Sequence, residues 1–112
     1  MITLGSISYN KLVRDKIPLI IEKTGKIAVV ETLDNEEYKR LLDAKLNEEL
    51  QEYLSDDSND SIEELADLVE VVYAILKYKG IDIDEFEGIR LKKAAERGAF
   101  EKRLFLREVL EK

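Results

Sequence analysis

Two pairs of acids stand near the middle of the chain. Glu49 and Glu52 form the first and Glu64 and Asp67 the second, within KLNEELQEYLSDDSNDSIEELADLVEVV (45–72). Each pair is spaced i,i+3, so if these segments are helical its members nearly stack on one face. At about 100° per residue, Tyr38, Leu42, Leu46, Leu50 and Tyr53 line one apolar stripe, and Glu49 projects into its middle. Glu52 lies about 60° from Glu49 on the flank of the same face, with Glu48 further round. On the next segment the apolar residues span an arc of roughly 220°; Glu64 points into it and Asp67 sits on its edge.

Carboxylates aimed at packed surfaces are costly unless paired, and grouping like charges adds to the cost. A hard divalent cation answers both problems, since Mg²⁺ takes carboxylate oxygen and water in octahedral array. The chain has no Cys and no His, so any metal site must rest on oxygen ligands. The plain alternative is that each acid bends out to water or pairs with a lysine. For one Glu on a charged helix that alternative is preferred; for two facing pairs the metal site is. The apolar arc of the second segment is also wider than one partner helix needs, which points to a second copy closing a four-helix bundle.

Cations could meet an anionic ligand at two places. Lys93 and Arg97 share a helix face beside Gly98, near Arg90 and Lys92. Cations at a helix C-terminus are also ordinary complements of its dipole. Lys11, Arg14, Asp15 and Lys16 form a second charged run, read equally as a solvated segment or as a clamp on phosphates. Tyr53, Tyr73 and Phe100 could stack on a base, though aromatics on apolar helix faces more often fill the core.

The elements that must position these groups are mostly helical. The chain of 112 residues is 45% hydrophobic and 38% charged, with five Gly and one Pro, which fits one folded, helix-rich domain spanning 1–112. NKLVRDKIPLIIEKTG reads as a first helix or helix pair, with Asn10 a candidate N-cap, a kink or restart at Pro18 and a stop at Gly25. KIAVVETL (26–33) has the β-branched character of a strand, and the tail RLFLREVL is its candidate partner. Asp34 caps a long helix to about Leu54, SDDSND is a polar turn, and Ser61 with Glu64 forms a capping box for a helix to about Lys79. Gly80 is a C-cap, and a further helix starts at Asp82 or Asp84 and closes at Gly98. The expected fold class is therefore all-α: an antiparallel helical hairpin that completes a four-helix bundle on dimerisation, with a small two-stranded β element.

The net charge of −7 excludes general binding to nucleic acid polymers, which needs a positive field along the phosphates. No apolar run approaches the ~18 residues of a membrane span. The start has no continuous apolar stretch of the secretory kind, so a cytoplasmic location is expected.

The acid pattern, E48-E-L-Q-E52 followed by E64-L-A-D67, resembles the EExxE and ExxD motifs of the MazG-like all-α nucleoside triphosphate pyrophosphohydrolases. YNKLVRDKIP near the start and KAAERGAF (93–100) near the end are similar to a small single-domain branch, labelled phosphoribosyl-ATP pyrophosphohydrolase-like or house-cleaning. The three segments run from Tyr9 to Phe100. The chain departs from the pattern in a short Glu52-to-Glu64 interval and in Ala99, where a second glycine is frequent.

The resemblance implies a homodimer or higher homo-oligomer, with Mg²⁺ (Mn²⁺ as substitute) held by Glu49, Glu52, Glu64 and Asp67. It implies hydrolysis of a nucleoside triphosphate, expected to be non-standard, to monophosphate and pyrophosphate. It also tips Lys93 and Arg97 toward phosphate, beside Lys11 and Arg14. Within that chemistry Glu48 is left to orient or deprotonate the attacking water. The alternatives are phosphoribosyl-ATP as substrate, in histidine biosynthesis, and a non-catalytic helical dimerisation module.

Overall fold

A computed structural model of the chain describes residues 5–57 and 61–112, so the SDDSND turn lies partly outside the described residues. Among the described residues four helices follow in order: α1 (Ile17–Lys23), α2 (Asn35–Ser55), α3 (Ile62–Tyr78) and α4 (Ile83–Arg97). No strand occurs among the described residues.

The long helices begin where short acidic side chains can satisfy their free amides. Asp34 accepts from the Glu37 amide at 2.8 Å, and Asp82 accepts from the Glu85 amide at 2.8 Å. Asp82 is therefore the start of α4, and Asp84 falls in its first turn. The capping box expected at Ser61 is not formed, because the Ser61 side chain makes no cap hydrogen bond. At the far end of α3, Gly80 takes φ +76, which spares it the Cβ clash other residues meet there. Its amide bonds the Lys77 carbonyl and the Ile81 amide bonds the Leu76 carbonyl, closing the helix in a Schellman turn.

The N-terminal segment forms one short helix from the restart expected at Pro18, and none from Asn10. Asn10 does not cap it: its φ is +48 and the helix starts seven residues later, at Ile17. Proline explains the boundary. A helix begun at Asn10 would bury Pro18 in its interior, losing a backbone bond at a cost of about 3 kcal/mol. Beginning at Ile17 puts Pro18 in the first turn, where its missing N–H has no partner to lose.

α2 and α3 pack along each other, and α4 touches α3 more lightly. The short connection makes the pair antiparallel, and two tyrosines show its register. Tyr38, early in α2, meets Tyr78, the last residue of α3, edge to face at 5.9 Å between ring centres. With the same ~1.5 Å rise per residue on both helices, equal steps inward reach the same level. Eleven residues inward on each helix stand Glu49 and Asp67; three further stand Glu52 and Glu64. The two acid pairs are thus level along the hairpin to within about a turn.

The core is small. Among the described residues the buried apolar side chains are Leu42, Val71 and Leu76. The expected β element is absent. Residues 26–33 form no strand, and Ile27, Val29 and Val30 are exposed. Beyond α4, Phe100, Leu104, Phe105, Leu106, Val109 and Leu110 are exposed. Neither segment finds the other's backbone, and a strand without a ladder is not a strand. The radius of gyration is 19.9 Å, against about 13 Å for a compact domain of ~100 residues. No helix among the described residues is long and apolar enough to cross a membrane.

Helix starts are the most direct check on this account. Asp34→Ala and Asp82→Ala are each expected to lower stability by about 1 kcal/mol, measured by denaturant unfolding. Ser61→Ala, which removes no cap hydrogen bond, is expected to leave stability unchanged.

Candidate metal centre

The site is built on the middle of α2. Glu48, Glu49 and Glu52 each offer a carboxylate oxygen, and these oxygens all lie within 4.8 Å of one another. Glu52 is exposed and Glu48 is half-buried. Glu49 is only 6% exposed, the one buried charged residue among those described. It is buried because its place on the helix is the middle of the apolar stripe, on the face that also carries the buried Leu42.

Burial pushes the Glu49 carboxyl above its ordinary value, and the neighbouring Glu52 charge pushes it the same way. Lys45, one turn earlier, opposes the shift with its ammonium 3.4 Å from Glu49 Oε1. Glu48 behaves differently. Burial raises it too, but the hydrogen bond from Lys11 and the charges of Lys45 and Lys11 outweigh that and hold it below the usual carboxylate range. The two adjacent acids are therefore pushed apart by their surroundings.

Among the described residues two buried side-chain oxygens remain without partners. Glu49 Oε2 and Glu64 Oε2 are both buried and accept no hydrogen bond. An unmade bond at a buried carboxylate carries a desolvation cost of at least ~1–3 kcal/mol. Such an oxygen is what a metal ligand looks like before it has a metal. The donor set is all carboxylate, which suits a hard divalent cation and not a soft one. On both counts these residues fit a divalent ion.

The acids on α3 stand at the same level of the hairpin but outside the tight group. Glu64 is half-buried, and Asp67 is engaged by Arg14 at 2.7 Å. Glu48, assigned from the sequence to the water, lies in the tight group with Glu49 and Glu52. The segment before α1 crosses this level as a strap, with Lys11 on Glu48 of α2 at 3.3 Å and Arg14 on Asp67 of α3. Lys11 also lies 5.9 Å from the centre of the Tyr9 ring. The two cations are thus brought to the acids, whereas the sequence reading left the docking of this segment open.

Lys93 and Arg97 are not brought there. Both are exposed on α4 and make no side-chain ion pair among the described residues, while Arg90 on the same helix is engaged by Glu87. Tyr73 and Phe100 are exposed and Tyr53 is half-buried. Lys45 is the residue the sequence reading missed. The signal was present, since Lys45 precedes Glu48 by three residues and Glu49 by four, the spacings that pair on a helix.

The raised carboxyl of Glu49 has a consequence for stability. Below its ordinary value, near 4.5, the side chain is protonated in both folded and unfolded chains and carries no penalty. As pH rises, the unfolded chain releases this proton first, so stability falls until the native group ionises as well. Without divalent metal, Glu49→Gln is therefore expected to melt above the wild type at about pH 7.5, the gap closing toward pH 4. Thermal scans across that range would show it.

Comparison with known proteins gives these residues a context. An uncharacterised protein of Mycolicibacterium smegmatis (strain ATCC 700084 / mc(2)155) is 45% identical over 51 residues, which is 46% of this chain and 52% of that protein. The chain thus spans about half the length of the relative it matches. No solved structure matches. Residues 18–94 match phosphoribosyl-ATP pyrophosphohydrolase. That match covers both long helices, all five acids of the site and Lys93, and by it the chain belongs to the phosphoribosyl-ATP pyrophosphohydrolase family, within the MazG-like superfamily.

Proposed function

We propose that the protein hydrolyses a nucleoside triphosphate between its α- and β-phosphates, releasing the monophosphate and pyrophosphate, with Mg²⁺ bound at the acidic cluster. The observation that carries this reading is Glu49: a buried carboxylate with one oxygen unpartnered, inside a group of three whose oxygens lie within 4.8 Å. Family membership supports the reaction class.

Glu49, Glu52, Glu64 and Asp67 would hold the ion, with Mn²⁺ a substitute. When bound, it supplies charge neutralisation at the phosphoanhydride and at the leaving pyrophosphate. The remaining work falls to side chains. Glu48, ionised through the neutral range, accepts a hydrogen bond from the attacking water and aligns it. Lys11 and Arg14 supply positive charge at the level of the acids, where the phosphates would lie. Lys93 and Arg97 contribute only if the substrate or a second copy reaches α4.

The substrate is a nucleotide, and we read it as a non-standard triphosphate. Phosphoribosyl-ATP is the second reading, favoured by the description of the family itself. The working unit is a homodimer in the cytoplasm. Ile62, Val69 and Tyr73 remain exposed on α3 after it has packed on α2, a surface suited to a second hairpin.

Pyrophosphate release from a panel of standard, modified and phosphoribosyl-linked nucleotides, with and without Mg²⁺, tests the reaction and its substrate. Glu64→Gln and Asp67→Asn are each expected to lower the rate by roughly 100-fold or more; undiminished activity in either rules out the proposed ligands. Sedimentation is expected to give twice the chain mass of 12.9 kDa. A species at the single-chain mass under working conditions would refute the dimer.

A further inference from the structure

Lys45 occupies a position that the reaction scheme leaves unused. Its side chain is 17% exposed, unusual for a lysine, and its ammonium lies 3.4 Å from both Glu48 Oε1 and Glu49 Oε1. Both contacts are long beside the ~2.7–2.9 Å of a good charge-assisted hydrogen bond, so the ammonium is shared and not clamped. It is the cation nearest the buried carboxylate, and in the metal-free protein it offsets part of the charge on the cluster.

A divalent ion at the acids would repel that ammonium. The oxygen of Glu49 open to such an ion is Oε2, and an ammonium 3.4 Å from Oε1 of the same carboxylate would face twice its own charge across that group. The ammonium has somewhere to go. A groove runs between residues 10–12 and α2, lined by Asn10, Lys11, Leu12, Leu41, Ala44, Lys45 and Glu48. Lys45 already forms part of its wall, and Lys11 faces it from the other side.

We propose that Lys45 is an exchangeable counter-ion: it rests on Glu48 and Glu49 in the metal-free protein and swings into the groove beside Lys11 when the acids take a divalent cation. There it adds a second positive charge to the surface that receives the anionic end of the nucleotide. Metal loading thus assembles the phosphate-facing pair Lys11 and Lys45. Lys45 is a positioning residue, set by the state of the acids. This inference rests on the metal-binding reading above.

The test uses the full chain without nucleotide. Calorimetry would compare Mg²⁺ binding by wild type, Lys45→Met and Lys45→Arg. Amine acetylation read by peptide mass spectrometry would follow Lys45 against Lys39 as internal reference. Lys45→Met is expected to bind Mg²⁺ roughly three- to tenfold more tightly, the fold-change from losing one partly buried ion pair. Lys45→Arg, which keeps the charge, is expected to stay within about twofold of wild type. Acetylation of wild-type Lys45 relative to Lys39 is expected to rise on saturation with Mg²⁺.

Unchanged or falling acetylation of Lys45 overturns the exchange. So does an affinity in Lys45→Met equal to or weaker than wild type with helical circular dichroism intact, or a gain in Lys45→Arg matching that in Lys45→Met. Wild type that takes up neither Mg²⁺ nor Mn²⁺ overturns the metal-binding reading itself. Metal uptake with an unmoved Lys45 overturns only the exchange.

Discussion

A buried carboxylate on α2, with one of its two oxygens unpartnered, is the constraint that organises this protein. Glu49 lies on the packed face of α2, on the same helix surface that carries Leu42 into the core. An apolar residue there would strengthen the hairpin at no electrostatic cost. The chain instead surrounds the acid with two further carboxylates and then places cations about them, Lys45 from the same helix and Lys11 from the strap, while Arg14 engages Asp67 on α3. Each of these ion pairs is worth at most about 1 kcal/mol where water reaches it. Together they hold the cluster without filling the open oxygens of Glu49 and Glu64. An arrangement that is tolerable but unsatisfied is what a binding site requires, because a fully satisfied one would have nothing left to offer a ligand.

The same compromise runs through the fold. Few apolar side chains are fully buried, and many large ones remain in water along α3, residues 26–33 and the tail. The hairpin is set by end effects: a carboxylate cap at Asp34, a Schellman turn at Gly80 and an edge-to-face tyrosine pair at one end. These fix where the helices begin, stop and face each other. They set the register that brings the two acid pairs to one level, and register is what turns two unremarkable helical spacings into one site.

Local chemistry decided most of what could be read from the residues alone. The starts at Asp34 and Asp82, the stops at Gly25, Gly80 and Gly98, and the inward direction of Glu49 follow from capping preferences and helical periodicity within a few residues. So does the family pattern, since E48-E-L-Q-E52 and E64-L-A-D67 are local words. Two cap assignments failed: no helix starts at Asn10, although the restart read at Pro18 is where α1 begins, and Ser61 and Glu64 have capping-box spacing but the serine side chain makes no cap hydrogen bond.

The sequence by itself determined that the chain is helical, that its acids come in stacked pairs and that only oxygen could ligate a metal. Those properties depend on neighbours three or four residues away and on composition. Tertiary structure alone decided which cations meet which acids, that Glu48 joins Glu49 and Glu52, that Glu49 and Glu64 each keep an empty oxygen, and that residues 26–33 and the tail do not pair. Contacts such as Arg14 with Asp67 cross 53 residues of chain. They exist only when the segment before α1 docks against α3, and helical periodicity carries no information about that docking.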